Sequence, residues 1–95
     1  MPAYVIVQGT VTDPEQYERY KAESGPSVAA AGGRFIVRGP EPEQLEGDAP
    51  PPRTAVIEFA TKQAALDWYH GERYTAVRRL RDGAGEMRLY VVDGA

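Results

Sequence analysis

The first patterned segment of the chain is apolar on both of its sides, and this feature limits the folds that the chain can adopt. The segment runs from Ala3 to Val11 and alternates as a β-strand does. One side carries Val5, Val7 and Val11, and the other carries Tyr4, Ile6 and Gln8. A strand with one solvated side alternates between apolar and polar residues. We therefore expect this strand to be covered on both sides.

The rest of the chain predicts three more strands and two helices. The strands are Arg34 to Arg38, Arg53 to Phe59 and Glu86 to Val92. Residues 40 to 53 hold five of the chain's 8 prolines. Proline cannot donate to a sheet ladder, so these residues predict a loop, with room for a brief edge strand at 44 to 46.

Both helices have recognisable starts, and both are expected to be interrupted. Asp13 is the predicted N-cap of the first helix, with Gln16 as its capping-box partner. We expect this helix to break at residues 24 to 26, where serine, glycine and proline follow one another. Thr61 is the predicted N-cap of the second helix, which Gly71 interrupts.

This order of elements is the βαββαβ split arrangement of ferredoxin-like folds, an α+β class. It predicts a four-stranded antiparallel sheet with the two interrupted helices on one face. Parity assigns to the helix-covered face Val5, Val7, Phe35, Val37, Ala55, Ile57, Phe59, Leu89 and Val91. The other face then carries a patch made of Tyr4, Ile6, Ile36, Val56 and Tyr90. A patch of this kind usually marks an interface, so we expect a homodimer in which two sheets pack into an α/β barrel.

Composition limits the compartment and the partners. A chain of 95 residues that is 42% hydrophobic forms one small domain, residues 1 to 95. There are 0 cysteines, which favours a reducing, cytoplasmic location. A net charge of −3 gives no basic footprint for nucleic acid, and the apolar run at the N-terminus is too short to cross a membrane.

Five segments carry a resemblance to a known family. They are TDPEQYERY (12 to 20), GGRFIVRG (32 to 39), LEGD (45 to 48), RTAVIEF (53 to 59) and WYHGERYTAVRRLR (68 to 81). In these segments the chain resembles domain of unknown function 1330 (DUF1330), a family of the dimeric α/β-barrel superfamily. The resemblance implies a ferredoxin-like fold and a barrel-forming dimer, and the family has no agreed activity.

Polar residues on the predicted barrel face are the main chemical signal. They are Gln8, Arg34, Arg38, Glu58 and Arg88. One interpretation is a pocket in which the arginines hold a small anionic or carboxylate-bearing ligand, since the planar guanidinium suits carboxylates. The other interpretation is a set of structural salt bridges across a dimer. Arg38 and Glu58 lie on adjacent strands, and we expect them to meet.

Aromatic residues form a second candidate group, made of Tyr17, Tyr20, Trp68, Tyr69 and Tyr74. Their helical spacing is typical of core residues, and we assign Trp68 and Tyr17 to the core. The hydroxyls of Tyr20, Tyr69 or Tyr74 could instead reach a cavity, with Tyr69 contacting ligand. A tyrosine could then act as a proton donor, as the superfamily's cofactor-independent enzymes require.

His70 is the only histidine, and it does not predict a cofactor. The superfamily includes haem-degrading members that pair a helix histidine with a tryptophan, but Trp68 and His70 are two positions apart and point to different sides of a helix. One histidine without other ligands is not a metal site. We expect neither cofactor nor metal.

Two function classes remain open. The first is a cofactor-independent enzyme acting on a small carboxylate or an oxygenated aromatic compound. In it the arginines hold the anion, Glu58 is the base, and Tyr20 or Tyr74 is the acid. The second is a non-catalytic dimeric protein with a binding or regulatory role, whose polar barrel residues are structural. A cavity lined by Arg38 and Glu58 would favour the first class.

Overall fold

The computed structural model describes residues 1 to 95 and contains four strands, three α-helices and one 3₁₀ turn. In chain order these are β1 (Ala3–Val11), α1 (Pro14–Ala30), β2 (Arg34–Arg38), β3 (Arg53–Phe59), α2 (Lys62–His70), α3 (Glu72–Arg78), the turn Arg79–Arg81 and β4 (Gly85–Asp93). The strands form one antiparallel sheet in the order β2-β3-β1-β4. The predicted ferredoxin-like fold, with its first and third strands central, is confirmed.

The first helix starts where expected, but its capping residue Gln16 has another role. The Asp13 carboxylate accepts from the backbone N–H of Gln16 at 3.1 Å, which is the predicted N-cap. The Gln16 side chain does not return to the cap. It donates to the carbonyl oxygens of Leu80 and Asp82 at 3.0 and 2.6 Å, because the Asp13 N–H already donates to the carbonyl of Ala84. Gln16 therefore ties the start of α1 to the 3₁₀ turn.

The predicted break in the first helix is wrong. α1 continues through Pro26, which is inside the helix. The Ser27 hydroxyl donates to the Ser24 carbonyl at 2.7 Å and accepts from the Trp68 indole N–H at 3.3 Å. Both serines are buried, so packing against α2 stabilises a helix that local propensity alone would end. The expected strand at 44 to 46 is also absent, and Leu45 there is 93% exposed.

The second helix is divided at Gly71, as predicted, and forms α2 and α3. The Thr61 hydroxyl caps α2 by accepting from the Ala64 N–H at 3.1 Å. Gly71 is extended and lies so close to the preceding turn that a Cβ there would be 2.8 Å from the carbonyl oxygen of Asp67. The helix therefore changes direction at this residue.

The core lies between the helices and one face of the sheet. Its buried apolar members are Ala3, Val5, Val7, Ala55, Ile57 and Phe59 from the strands, and Tyr17, Tyr20, Val28, Ala65, Trp68, Tyr74, Val77 and Ala84 from elsewhere. Trp68 and Tyr17 are each 6% exposed, so their assignment to the core is confirmed.

A β-bulge in β2 changes the predicted faces of its last residues. Phe35 pairs with Ile57, but the register then shifts, so that Val37 pairs with Val56 and Arg38 with Ala55. Paired residues share a face, and the extra residue of a bulge inverts the alternation that follows it. Val37 therefore lies on the open face, where parity did not place it, and Arg38 lies on the helix-covered face.

Candidate functional site

Three rows of side chains, each spanning three or four strands, cross the open face of the sheet as the strand register defines them. The rows are Arg34, Glu58, Tyr4 and Val92; then Val37, Val56, Ile6 and Tyr90; then Thr54, Gln8 and Arg88. The middle row is apolar, and large hydrophobic side chains on this face stay exposed, with Ile36 at 46% and Tyr90 at 45%. An apolar band thus crosses the open face between two polar ends.

The predicted polar residues of this face form two separate pairs. Arg34 Nε donates to Glu58 Oε1 at 2.9 Å, and Arg88 Nη2 donates to Gln8 Oε1 at 2.5 Å. Gln8 is the cross-strand neighbour of Thr54, which lies four residues from Glu58 along β3. At 3.3 Å per residue the two pairs are about 13 Å apart. They do not converge on one pocket.

The expected meeting of Arg38 and Glu58 is wrong. The bulge turns Arg38 toward α1, where its Nη2 donates to the Lys21 carbonyl at 3.3 Å and its Cζ lies 4.2 Å from the centroid of the Phe35 ring. Glu58 remains on the open face. Tyr20 and Tyr74 lie in the core on the other side of the sheet, so the predicted base and acids do not share a site.

A second arginine, Arg53, joins Arg38 on the helix-covered side. Its Cζ lies 4.9 Å from the centroid of the Tyr17 ring, and its Nε is buried without a hydrogen-bond partner. A buried donor without an acceptor is rare, because its lost hydration is not replaced. Burial raises the pKa of Tyr17, although the charge of Arg53 acts in the opposite direction.

The hydroxyls of Tyr20 and Tyr74 lie beside these residues and form a hydrogen bond of 2.6 Å in the core. Burial, and then the neighbouring Tyr74, raise the pKa of Tyr20 well above its ordinary value, so this phenol stays protonated at neutral pH. One hydroxyl hydrogen is used within the pair, and the other is free to be donated. The pair can therefore donate one hydroxyl hydrogen to a neighbouring acceptor.

Three arginines surround the tyrosines without a carboxylate partner. The third is Arg81 of the 3₁₀ turn, whose Cζ lies 5.5 Å from the centroid of the Tyr20 ring. The only ion pairs of the structure are Lys21–Glu18 and Arg34–Glu58, so Arg38, Arg53 and Arg81 have none. We call the space between α1 and the sheet that is bounded by Tyr17, Tyr20, Arg38 and Arg53 the arginine cleft.

The arginine cleft is nearly closed. Its enclosed volume is about 20 Å³, close to the size of one water molecule. The guanidinium of Arg38 makes a single hydrogen bond, at 3.3 Å, and its side chain belongs to an exposed residue of an edge strand. A molecule larger than one water would therefore have to displace one wall of the cleft, such as the Arg38 side chain.

A second space, which we call the apolar cavity, lies between α2 and the β1–β4 side of the sheet. It measures about 150 Å³ and is lined by Val5, Ala65, Leu66, Trp68, Tyr69, His70, Leu89, Tyr90 and Val91. Tyr69, a predicted ligand contact, lines it and packs under Arg78, whose Cζ is 4.6 Å from the ring centroid. Trp68 and Leu89 line both the apolar cavity and the arginine cleft.

A family model matches almost the whole chain. The model described as domain of unknown function (DUF1330) covers residues 2–95. The chain belongs to the DUF1330 family. No curated protein matches the sequence.

Solved structures similar to this DUF1330 chain share its fold at low sequence identity. RPA0582 from Rhodopseudomonas palustris, a protein of unknown function, has a TM-score of 0.77 at 17% identity, over 99% of this chain and 82% of its own. HapK from Hahella chejuensis has a TM-score of 0.65 at 13% identity, over 98% and 92%. A dimeric protein of ferredoxin-like fold from Bacteroides fragilis has a TM-score of 0.58 at 10% identity, over 98% and 96%.

Three further features of this DUF1330 structure concern metal ligands, His70 and the length of the helices. No three histidine, aspartate or glutamate side chains are grouped to hold a metal ion. Trp68 is buried while His70 is exposed, so the two point to different sides of α2 as their spacing predicts. No helix has both the length and the apolar character needed to span a bilayer.

Sequence reasoning missed Arg53, which lines the candidate cleft, and Arg81, which contacts Tyr20 from outside it. A signal for Arg53 was present, because it shares the parity of Ala55 and Ile57 and therefore starts a core-facing row. Arg81 comes from a turn after α3, and its approach to Tyr20 depends on the contact between that turn and α1. No local pattern indicates that contact.

Proposed function

We propose that this DUF1330 protein is a homodimer that binds a small carboxylate-bearing molecule in the arginine cleft of each subunit. The observation that carries the proposal is that two arginines without ion pairs, Arg38 and Arg53, line the arginine cleft beside the buried Tyr17 and Tyr20. Guanidinium groups match carboxylates in shape and can bind them through two parallel hydrogen bonds.

Arg53 is the strongest support for an anion. A buried polar atom without a partner destabilises a fold, and such atoms in native proteins are nearly always hydrogen-bonded to protein, water or a ligand. The unpartnered Nε of Arg53 supplies a donor whose acceptor would come from the ligand. Arg38 lies across the same cleft on the edge strand β2, where a ligand carboxylate would replace the Lys21 carbonyl as its partner.

The apolar band of the open face supports the homodimer. Covering a large apolar side chain contributes about 1.5 to 3 kcal/mol, and this face exposes several of them. The two polar pairs lie outside the band, where they remain solvated at the edge of a face-to-face contact, as is usual for a polar rim. The Bacteroides fragilis neighbour, which shares the fold, is described as dimeric.

The short hydrogen bond between Tyr20 and Tyr74 favours a second candidate function, a cofactor-independent enzyme acting on the bound carboxylate. The free hydroxyl hydrogen of the pair would be donated to an oxygen that gains negative charge during the reaction. Glu58 accepts a hydrogen bond from Arg34 on the opposite face of the sheet, so Glu58 is not the base in this reaction. Within this candidate, any base comes from the substrate or from solvent.

Calorimetric titration with acetate, butyrate and succinate tests the binding proposal. We expect at least one of them to bind wild type, and Arg53→Met and Arg38→Ala to weaken that binding by about tenfold or more, since a lost charged hydrogen bond costs about 1.5 to 3 kcal/mol. Arg19→Ala is the matched control, because Arg19 is exposed on α1 and makes no ion pair. Equal binding by all four proteins, or by none, would rule out the arginine cleft as the site.

An NMR experiment with the same ligands distinguishes a binding protein from an enzyme. A bound carboxylate should be followed by NMR in the presence of wild type and of Tyr20→Phe. Turnover that Tyr20→Phe slows, with its affinity unchanged, would favour the enzyme. Recovery of the ligand unchanged would favour a binding or regulatory protein.

A further inference from the structure

We infer that the ligand is an aryl-alkyl carboxylic acid, whose carboxylate lies in the arginine cleft while its ring fills the apolar cavity. The position of the carboxylate rests on the function proposed above. The position of the ring rests on the shape and lining of the apolar cavity and on its junction with the cleft.

One row of the sheet connects the two spaces. The register places Arg38, Ala55, Val7 and Leu89 side by side on the helix-covered face, one from each strand. Three interstrand spacings separate Arg38 from Leu89, which is about 14 Å between Cα atoms. This row lines the arginine cleft, and Leu89 also lines the apolar cavity. A ligand lying along the row would have its two ends in different spaces.

The apolar cavity suits an uncharged ring. Eight of its nine lining residues are hydrophobic, and its volume of about 150 Å³ is that of a cavity which takes up benzene. A carboxylate placed against Val5, Leu66 and Val91 would lose its hydration without gaining a donor. The only side chains with polar atoms in the lining are those of Trp68, His70 and the two tyrosines. The ring and the carboxylate of one ligand therefore have separate and complementary places.

Trp68 and Leu89 stand at the junction. They are the only residues that line both spaces, and they are the side chains between which the alkyl chain of a ligand would pass. Leu89 is half-buried on the edge strand β4. Trp68 is the sole tryptophan, so its fluorescence reports directly on occupation of the junction.

The test is a series of ligands that differ only in chain length and in head group. Benzoate, phenylacetate, 3-phenylpropionate and 4-phenylbutyrate are titrated by calorimetry, together with butyrate and 4-phenylbutanol. We expect affinity to rise along the series as the ring reaches the apolar cavity. The best member should bind at least about tenfold more tightly than butyrate and change the Trp68 fluorescence.

Two variants locate the ring and the carboxylate. Leu66→Trp fills the apolar cavity and should abolish the gain from the ring, while butyrate binding is unchanged. If Leu66→Trp unfolds the protein, Leu66→Phe is the variant used for the same test. Leu45→Trp, on an exposed loop, is the matched control and should keep the gain. Arg53→Met should weaken each carboxylate and leave 4-phenylbutanol unaffected.

The outcomes distinguish this inference from the proposed function. If butyrate and 4-phenylbutyrate bind equally and both need Arg53, the carboxylate site stands and the ring site is wrong. If 4-phenylbutanol binds as tightly as 4-phenylbutyrate, or if the gain persists in Leu66→Trp, the two spaces do not hold one ligand. If no compound binds, both proposals fail.

Discussion

The hydrogen bond between the hydroxyls of Tyr20 and Tyr74 predicts a large and unusual coupling between two mutations. The oxygens are 2.6 Å apart, and the two residues are 9% and 1% exposed, so water does not readily replace either partner. Removing one hydroxyl leaves the other buried without its tyrosine partner, beside the guanidinium of Arg81. Removing both leaves two phenyl rings with no unpaired hydroxyl.

The expected magnitudes follow from this geometry. A buried polar group that loses its partner costs about 1 to 3 kcal/mol, whereas replacing both partners by apolar groups is nearly neutral. Tyr20→Phe and Tyr74→Phe should each lower the free energy of unfolding by about 1 to 3 kcal/mol. The double variant should lose less than either single variant.

Urea denaturation of the four proteins at pH 7 measures this cycle. The protein concentration is held fixed, because the stability of the proposed homodimer would depend on it. Tyr69→Phe is the matched control, since the Tyr69 hydroxyl makes no hydrogen bond within the chain, and we expect a change below about 0.5 kcal/mol. Losses at Tyr20 and Tyr74 that add to within about 0.5 kcal/mol would show that the two hydroxyls do not depend on each other.

Three further predictions concern the dimer, the core and pH. Ile6→Glu should convert a species of twice the chain mass into monomer in sedimentation, because it places a carboxylate in the apolar band; a wild type that sediments as a stable monomer would exclude the dimer. Trp68→Ala should cost about 3 to 5 kcal/mol in urea denaturation, and a loss below about 1 kcal/mol would show that the ring is not a core element. Burial raises the pKa of Tyr20 above 10.0, so above that pH the unfolded state releases a proton that the folded state retains. The contribution of Tyr20 to the free energy of unfolding should then fall by about 1.4 kcal/mol per pH unit. Urea denaturation at several pH values from 9 to 11 should show a shallower fall for Tyr20→Phe than for wild type.

The elements that sequence patterns predicted correctly are those whose signals are local. The N-caps at Asp13 and Thr61 and the division at Gly71 depend on residues within one helical turn. The strand order followed from the alternation of helices and strands, which leaves few right-handed topologies. Long-range contacts explain the errors nearby. The Gln16 side chain does not complete the capping box, because it donates to the carbonyl oxygens of Leu80 and Asp82 in a turn distant in sequence.

The continuity of α1 has the same physical cause. Serine, glycine and proline in succession have low helix propensity and therefore predict a break. Tertiary packing can override such a local preference. In the fold, the Ser27 hydroxyl accepts from Trp68 on another helix, and the guanidinium of Arg38 lies over Gly25, where a Cβ would be 3.3 Å from Nη1. Small residues at this point fit closely against the neighbours of α1 and do not indicate its end.

The bulge in β2 decides where the candidate site lies. The face of each strand residue can be predicted from its parity only if the strand has no bulge. The segment RFIVR has no glycine or proline that would indicate a bulge. Arg34 precedes the bulge and stays on the open face with Glu58, whereas Arg38 follows it and faces α1. Two arginines that parity assigns to one pocket are thereby separated by the sheet. One is left beside the apolar band, and the other joins Arg53 in the cleft that we propose as the ligand site.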